Sequence, residues 1–139
     1  MLTVKISGTG SYLPTRVVTN EEMSVRIGST PEWIYSHTGI ASRHVADETE
    51  SAATMGAEAA RRALESAQVK PGDISIIALT TTTPDYCNYP STACLVQKAL
   101  GCRPAAAFDL SAACSGFVYG LEMVKSYLLC HPGHKALVI

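Results

Sequence analysis

Cys114 is the residue best placed to do chemistry in this chain. It follows the apolar run Ala105–Leu110 and the small residues Ser111, Ala112 and Ala113, and it precedes Ser115-Gly116-Phe117, where an amphipathic helix begins. A thiol at a helix start faces N–H groups that lack intrahelical partners, and it sits at the positive end of the helix dipole. Both favour the thiolate, which is the nucleophilic form. Small neighbours leave room for a substrate to approach. The competing reading for any free cysteine is simple packing, and that reading suits Cys87, Cys94, Cys102 and Cys130. Five cysteines, an odd number without a Cys-x-x-Cys pair, argue against a disulfide framework and against a zinc site. No metal is expected.

The other candidates are weaker. Asp109 is expected to anchor the turn before Cys114 rather than act as a base. His131 and His134 flank Pro132-Gly133 and read as solvated turn residues, while His37 and His44 lie near the front of the chain. Thr80–Thr83 are expected to line a pocket wall or to satisfy loop backbone groups. The spacing Gly8-x-Gly10-x-x-Leu13 lacks a third glycine, and Pro14 stands where a dinucleotide-binding helix would begin. No Gly-Lys-Ser/Thr phosphate loop occurs, so no cofactor is expected.

Composition bounds the class. The 139 residues are 47% apolar and 17% charged, with a net charge of −1 and no run of like charge. That is a globular composition long enough for one domain with its own core. It offers no electrostatic footprint for nucleic acid. No segment approaches the ~20 apolar residues of a membrane helix. Met1–Ile6 alternate without the apolar core of a signal peptide, so a cytoplasmic location is expected.

The elements that must position Cys114 alternate between strand and helix. A strand is predicted over Thr3–Gly8, a short helix over Glu21–Ile27 with Asn20 as its N-cap, and a helical segment at Pro31–Tyr35. Ser51–Ala67 is the clearest helix, with Ala60, Ala63, Leu64 and Ala67 on one stripe. Asp73–Leu79 is a near-continuous β-rich run of the kind buried on both faces of a parallel sheet. Thr80–Pro90 is a loop, and Ser91 caps a helix that stops at Gly101. Ala105–Leu110 is a strand, Ser115–Cys130 a helix and Lys135–Ile139 a strand. Together they predict an α/β layered domain. The final interior-looking strand, with no polar tail, reads as the front portion of a longer protein, one domain over residues 1–139.

Several motifs carry a resemblance. Gly8-Thr9-Gly10-Ser11-Tyr12-Leu13-Pro14, Thr30-Pro31-Glu32-Trp33-Ile34, Thr38-Gly39-Ile40, Tyr89-Pro90-Ser91-Thr92-Ala93-Cys94 and the Ala107–Phe117 segment resemble β-ketoacyl-ACP synthase III enzymes, in order and over essentially all 139 residues. The resemblance implies a thiolase-like fold: an αβαβα layered architecture with a mixed five-stranded sheet in each half. This chain would form the N-terminal half, with its last strand missing. It implies a homodimer in which a strand like Ala105–Leu110 pairs across the two-fold axis.

The resemblance also implies an activity and site residues. Cys114 would accept an acyl group from a short acyl-CoA, and malonyl-acyl carrier protein would then condense with it decarboxylatively to start fatty-acid synthesis. Acyl-CoA is thus a substrate, not a cofactor. Trp33 resembles the family's adenine-stacking tryptophan, with Thr38 nearby. His37 stands where arginine is common, which weakens the hold on the nucleotide; Arg26 and Arg43 are cations that could compensate. Tyr89 matches an aromatic position that reaches into the partner's acyl pocket and limits primer length. The family's decarboxylating histidine and asparagine fall outside these residues. Two further readings stay open: another thiolase-fold condensing enzyme of polyketide or alkylquinolone type, and a non-catalytic dimerising acyl-binding half-domain.

Overall fold

The computed structural model describes residues 3–139; Met1 and Leu2, the start of the alternating N-terminal segment, lie outside the described residues. The chain divides into two compact units, one formed by the residues up to Tyr12 together with Ser51–Ile139, the other by Leu13–Glu50.

The larger unit is built on a parallel sheet. Strands β3 (Ile74–Thr80), β4 (Ala106–Leu110) and β5 (Lys135–Val138) run in the order β4-β3-β5, both pairings parallel. The central strand is the β-rich run read from sequence, and Ile74 and Ile76–Leu79 are buried, as expected for a strand covered on both faces.

Alternation along the strands sends side chains to two different helix layers. On one face Ile77, Leu79 and Leu137 pack in a core with Ala53, Ala57, Ala60 and Leu64 of α3 (Ala52–Ala67) and Ala93 and Val96 of α4 (Thr92–Leu100). On the other face lies α5 (Gly116–Cys130), whose Gly120 comes close to Thr80 and Val138. The absence of a side chain at Gly116 and Gly120 lets this helix sit tightly on the sheet. The α/β layered reading thus holds, with helix layers on both faces of a parallel sheet.

The predicted N-terminal strand does not form. Residues 3–14 carry no regular secondary structure. Val4–Gly8 and Ala136–Ile139 line the same apolar cleft, about 530 Å³ in volume, without pairing to each other. The segment docks on a helix instead. A Cβ on Gly8 would lie 2.6 Å from the Ala63 carbonyl oxygen and from the Ala67 nitrogen, and one on Gly10 would collide with the backbone at Ala59 and Ala63. These two glycines let the chain lie directly against α3, one helical turn apart. Among the described residues the five-stranded mixed sheet is therefore represented by three parallel strands.

The smaller unit holds a feature the sequence reading missed. Strands β1 (Arg16–Thr19) and β2 (Ser42–Val45) pair antiparallel, with Val17 opposite His44 and Val18 opposite Arg43. Between them run α1 (Asn20–Ile27) and α2 (Pro31–Thr38). The cap of α1 is Thr19, whose hydroxyl accepts the Glu22 N–H, and not Asn20. Asn20 is buried and employed across the unit: it donates to the Ile40 carbonyl at 2.8 Å and accepts from Arg43 at 2.6 Å.

Candidate functional site

Cys114 lies in a single 3-10 turn, Ala113–Ser115, that joins the end of β4 to the start of α5. Its side chain is exposed. The residue before it, Ala113, has φ +45°, a left-handed conformation that non-glycine residues rarely adopt. Leu110, at the end of β4, accepts the Thr81 N–H at 3.2 Å, and the Ser115 N–H closes back on Ala112 at 3.1 Å. Ser115 occupies the N-cap of α5 but makes no side-chain cap hydrogen bond. The Gly116 N–H returns to the Ala113 carbonyl, so the start of α5 beside Cys114 is closed by backbone and carries no capping side chain.

The neighbouring helices are capped quite differently. Asp109 on β4 accepts the Thr92 N–H at 2.8 Å and the Ala93 N–H at 2.7 Å, one on each carboxylate oxygen. The Ser91 hydroxyl accepts the Cys94 N–H at 3.3 Å, which completes the start of α4. Thr92 is fully buried, and its hydroxyl accepts the Asp85 N–H at 3.2 Å. The Asp85 carboxylate in turn accepts the Ser51 hydroxyl at 2.7 Å and the Ala53 N–H at 3.1 Å, at the start of α3. Asp109 is thus an anchor, as the sequence suggests, but it anchors α4 to β4. The parts played by Asp85 and Thr92 depend on pairings remote in sequence, and no local motif announces them.

Tyr89 lies in the loop between β3 and α4, 86% exposed and joined by a cis peptide to Pro90. In the same loop the Thr81 hydroxyl accepts the Thr83 N–H at 3.1 Å, and at the end of β3 the Thr80 hydroxyl donates to the Ile139 carbonyl at 3.0 Å. These threonines satisfy backbone groups. The apolar cleft beside β5 is a separate feature, since Cys114 is not among its lining residues.

Trp33, His37 and Thr38 belong to the smaller unit. Trp33 is half exposed, and the His37 ring stacks on it with centroids 4.3 Å apart and planes inclined by 24°. His37 Nδ1 lies 2.9 Å from the Trp33 carbonyl oxygen and 3.1 Å from the Ser36 hydroxyl. The histidine therefore backs one face of the indole. The Thr38 hydroxyl donates to the Ile34 carbonyl at 2.6 Å and accepts the Ile40 N–H at 3.1 Å, which fastens the end of α2. Arg43 is committed to Asn20 and to the Val18 carbonyl, and Arg26 to Glu22, so both cations already have partners within the unit.

The remaining cysteines divide by burial: Cys102 is fully buried, Cys94 partly, and Cys87 and Cys130 are exposed. Burial pushes the Cys102 thiol pKa up. His131 and His134 are exposed but not unpartnered, since both pack around Tyr127; His131 stacks on that ring at 4.2 Å and His134 lies 3.1 Å from its hydroxyl. Among the described residues no group of three or more His, Cys, Asp or Glu side chains could hold a metal ion. No helix among them is long and apolar enough to cross a membrane.

A parallel sheet between helix layers, with an exposed cysteine in the tight turn that leads from an edge strand into an uncapped helix, defines a thiolase-like α/β chain. The model of the 3-oxoacyl-[acyl-carrier-protein (ACP)] synthase III family matches residues 108–139, the stretch that contains this turn. The chain is 46% identical to a β-ketoacyl-[acyl-carrier-protein] synthase III of Erythrobacter litoralis over 139 residues, 100% of this chain and 43% of the relative. A crystal structure of 3-oxoacyl-[acyl-carrier-protein] synthase III from Aquifex aeolicus superimposes with a TM-score of 0.88 at 43% identity, covering 96% of this chain and 43% of that one. The priming β-ketosynthase from the R1128 polyketide biosynthetic pathway superimposes at 0.83 with 40% identity, covering 89% and 37%. The chain is thus similar to β-ketoacyl-ACP synthase III enzymes, and it spans about two fifths of the length of the curated relatives it matches.

Proposed function

We propose that this chain carries the acyl-accepting part of a β-ketoacyl-ACP synthase III, with Cys114 as the nucleophile. The observation that carries this reading is the setting of Cys114: an exposed thiol in the turn at the mouth of a helix whose first N–H groups have no side-chain cap. The Cys114 sulfur attacks the carbonyl carbon of an acyl-CoA thioester, and the Cys114 backbone N–H helps hold the developing oxyanion. The carbon–sulfur bond to CoA then breaks and CoA leaves, taking up a proton as its free thiol. The acyl group remains as a thioester on Cys114. In the complete enzyme malonyl-ACP loses carbon dioxide, and the resulting carbanion attacks that thioester to give 3-oxoacyl-ACP and free Cys114. The resemblance assigns the decarboxylation to a histidine and an asparagine outside these 139 residues.

Trp33 supplies a stacking face for the adenine of CoA, with His37 behind it and Thr38 closing the helix that presents both. Tyr89 limits the length of the acyl primer, so short acyl groups are favoured. β4 is an edge strand of the sheet. A second copy pairing along it would cover that edge and give the homodimer. A cytoplasmic location belongs to the same reading.

The test is direct. Incubation with acetyl-CoA and then peptide mass spectrometry is expected to place one acetyl group on Cys114, and Cys114→Ala is expected to abolish it. An adduct that survives Cys114→Ala, or no adduct at any cysteine, would overturn the assignment. A second reading, a priming condensing enzyme of polyketide synthesis, is favoured by the likeness to the R1128 priming enzyme. Both readings share Cys114, and they separate on the primer acyl-CoA accepted and on the carrier protein that supplies the extender.

A further inference from the structure

We propose that Asp109 and Ala113 are positioning residues for Cys114: Asp109 clamps the end of β4 to α4, and that clamp holds the strained turn in which Cys114 is presented. This rests on Cys114 being the reactive thiol of the proposed acyl transfer. Asp109 receives an N–H on each carboxylate oxygen, at 2.8 Å from Thr92 and 2.7 Å from Ala93, so strand and helix are joined by two bonds rather than one pivot. From there the linkage continues through the buried Thr92 hydroxyl to the Asp85 N–H, and through the Asp85 carboxylate to Ser51 and Ala53. The starts of α3 and α4 and the end of β4 are thereby tied into one frame.

The frame matters because β4 leads straight into a strained turn. Ala113 is held at φ +45°, a conformation an alanine leaves when it is free to do so. Such strain persists only where its surroundings over-determine it. On the N-terminal side the fixed end is β4, held by its pairing to β3, by the Thr81-to-Leu110 hydrogen bond and by Asp109. On the C-terminal side it is Gly116, packed beneath Thr80 on the sheet. With both ends fixed, the intervening residues have little choice, and Cys114 is left exposed at the start of α5. If Asp109 releases α4, the end of β4 gains freedom and the turn can relax. If residue 113 is glycine, the turn is unstrained and has many conformations in place of one.

Both variants are expected to lower the reactivity of Cys114, but only Asp109→Asn lowers stability with it, which separates a positioning role from a merely structural one. Native protein is treated with limiting iodoacetamide, and the labelling of Cys114 is read as a ratio to that of Cys87, an exposed cysteine of the same chain. Asp109→Asn removes one of the two acceptors; the Cys114-to-Cys87 ratio is expected to fall at least threefold, with a lowered melting temperature. Ala113→Gly is expected to leave the melting temperature within a few degrees of the parent and still lower the ratio at least threefold. Asp85→Asn, which loosens the frame at a distance, is expected to give a smaller fall. An Ala113→Gly protein that keeps the parent ratio overturns the proposal, even where Asp109→Asn does not fold. The readout needs no acyl transfer. A normal ratio pattern with no acetylation of parent Cys114 would count against the acyl-acceptor reading alone.

Discussion

A cysteine's chemistry is decided by what surrounds its sulfur, and this chain contains both extremes. Cys114 is exposed in a turn, whereas Cys102 is fully enclosed and sits in the main core cluster with Ala105, Val96 and Leu137. Burial raises the Cys102 thiol above its ordinary value of 9.0, because a thiolate there would lose its hydration without gaining a partner. In native protein near neutral pH Cys102 is therefore expected to resist iodoacetamide while Cys87, Cys114 and Cys130 label, and to label once the chain is unfolded in urea. Equal labelling of all five cysteines in the native state would contradict the burial. The same burial makes stability depend on pH, with a definite sign. Below pH 9.0 both states hold the proton and nothing changes, but above it the unfolded thiol ionises first, so stability falls as pH rises toward the folded value. Urea midpoints measured across this range should decline, and Cys102→Ala should flatten part of that decline.

At the scale of elements, close backbone approach decides what the N-terminal segment does. Gly8 and Gly10 let the segment lie on α3 where any Cβ would meet helix backbone, which cannot move aside as a side-chain tip can. Gly10→Ala is therefore expected to destabilise the protein by about 1–3 kcal/mol, the usual cost of overpacking, seen as a lower urea midpoint with an unchanged slope. The same segment shows where sequence reading runs out. Thr3–Gly8 alternates as a strand does, yet a strand needs a neighbour within hydrogen-bonding reach, and alternation does not encode one. α3, α4, α5 and β3 were legible because their signals are local: a repeat of apolar positions, a Ser cap, a run of β-branched residues. The pair β1–β2 was not, since Arg16–Thr19 and Ser42–Val45 are short and mostly polar and meet only after two helices intervene. The candidate site divides likewise. Cys114 and its small neighbours stand out in the sequence, but the Asp85–Thr92–Asp109 linkage joins residues brought together only by the fold.

For the whole molecule, the informative fact is an apolar surface that remains uncovered. α5 buries Gly116, Gly120 and Val124, one face only. Around the rest of it Phe117, Val118, Tyr119 and Met123 are each about half exposed or more. The charged residues of α5, Glu122 and Lys125, pair with each other on one side, and exposed apolar patches like the remainder mark surfaces that take a partner. The sheet adds to this, since β4 and β5 are both edge strands in the order β4-β3-β5. The 139-residue chain by itself is therefore expected to self-associate in dilute buffer, sedimenting heavier than its 14.7 kDa. Association should strengthen in sulfate, which favours apolar burial, and the protein should bind a hydrophobic dye. Phe117→Lys with Met123→Lys places two cations on that face without touching its buried side. The doubly substituted chain should sediment lighter and bind less dye while keeping the parent's far-ultraviolet circular dichroism. A parent chain that sediments as a single 14.7 kDa species and binds no dye would show that the exposed face of α5 drives no association. An unchanged distribution in the double variant would instead place the contact on the strand edges, where removing apolar area has no effect but adding a proline to β4 does.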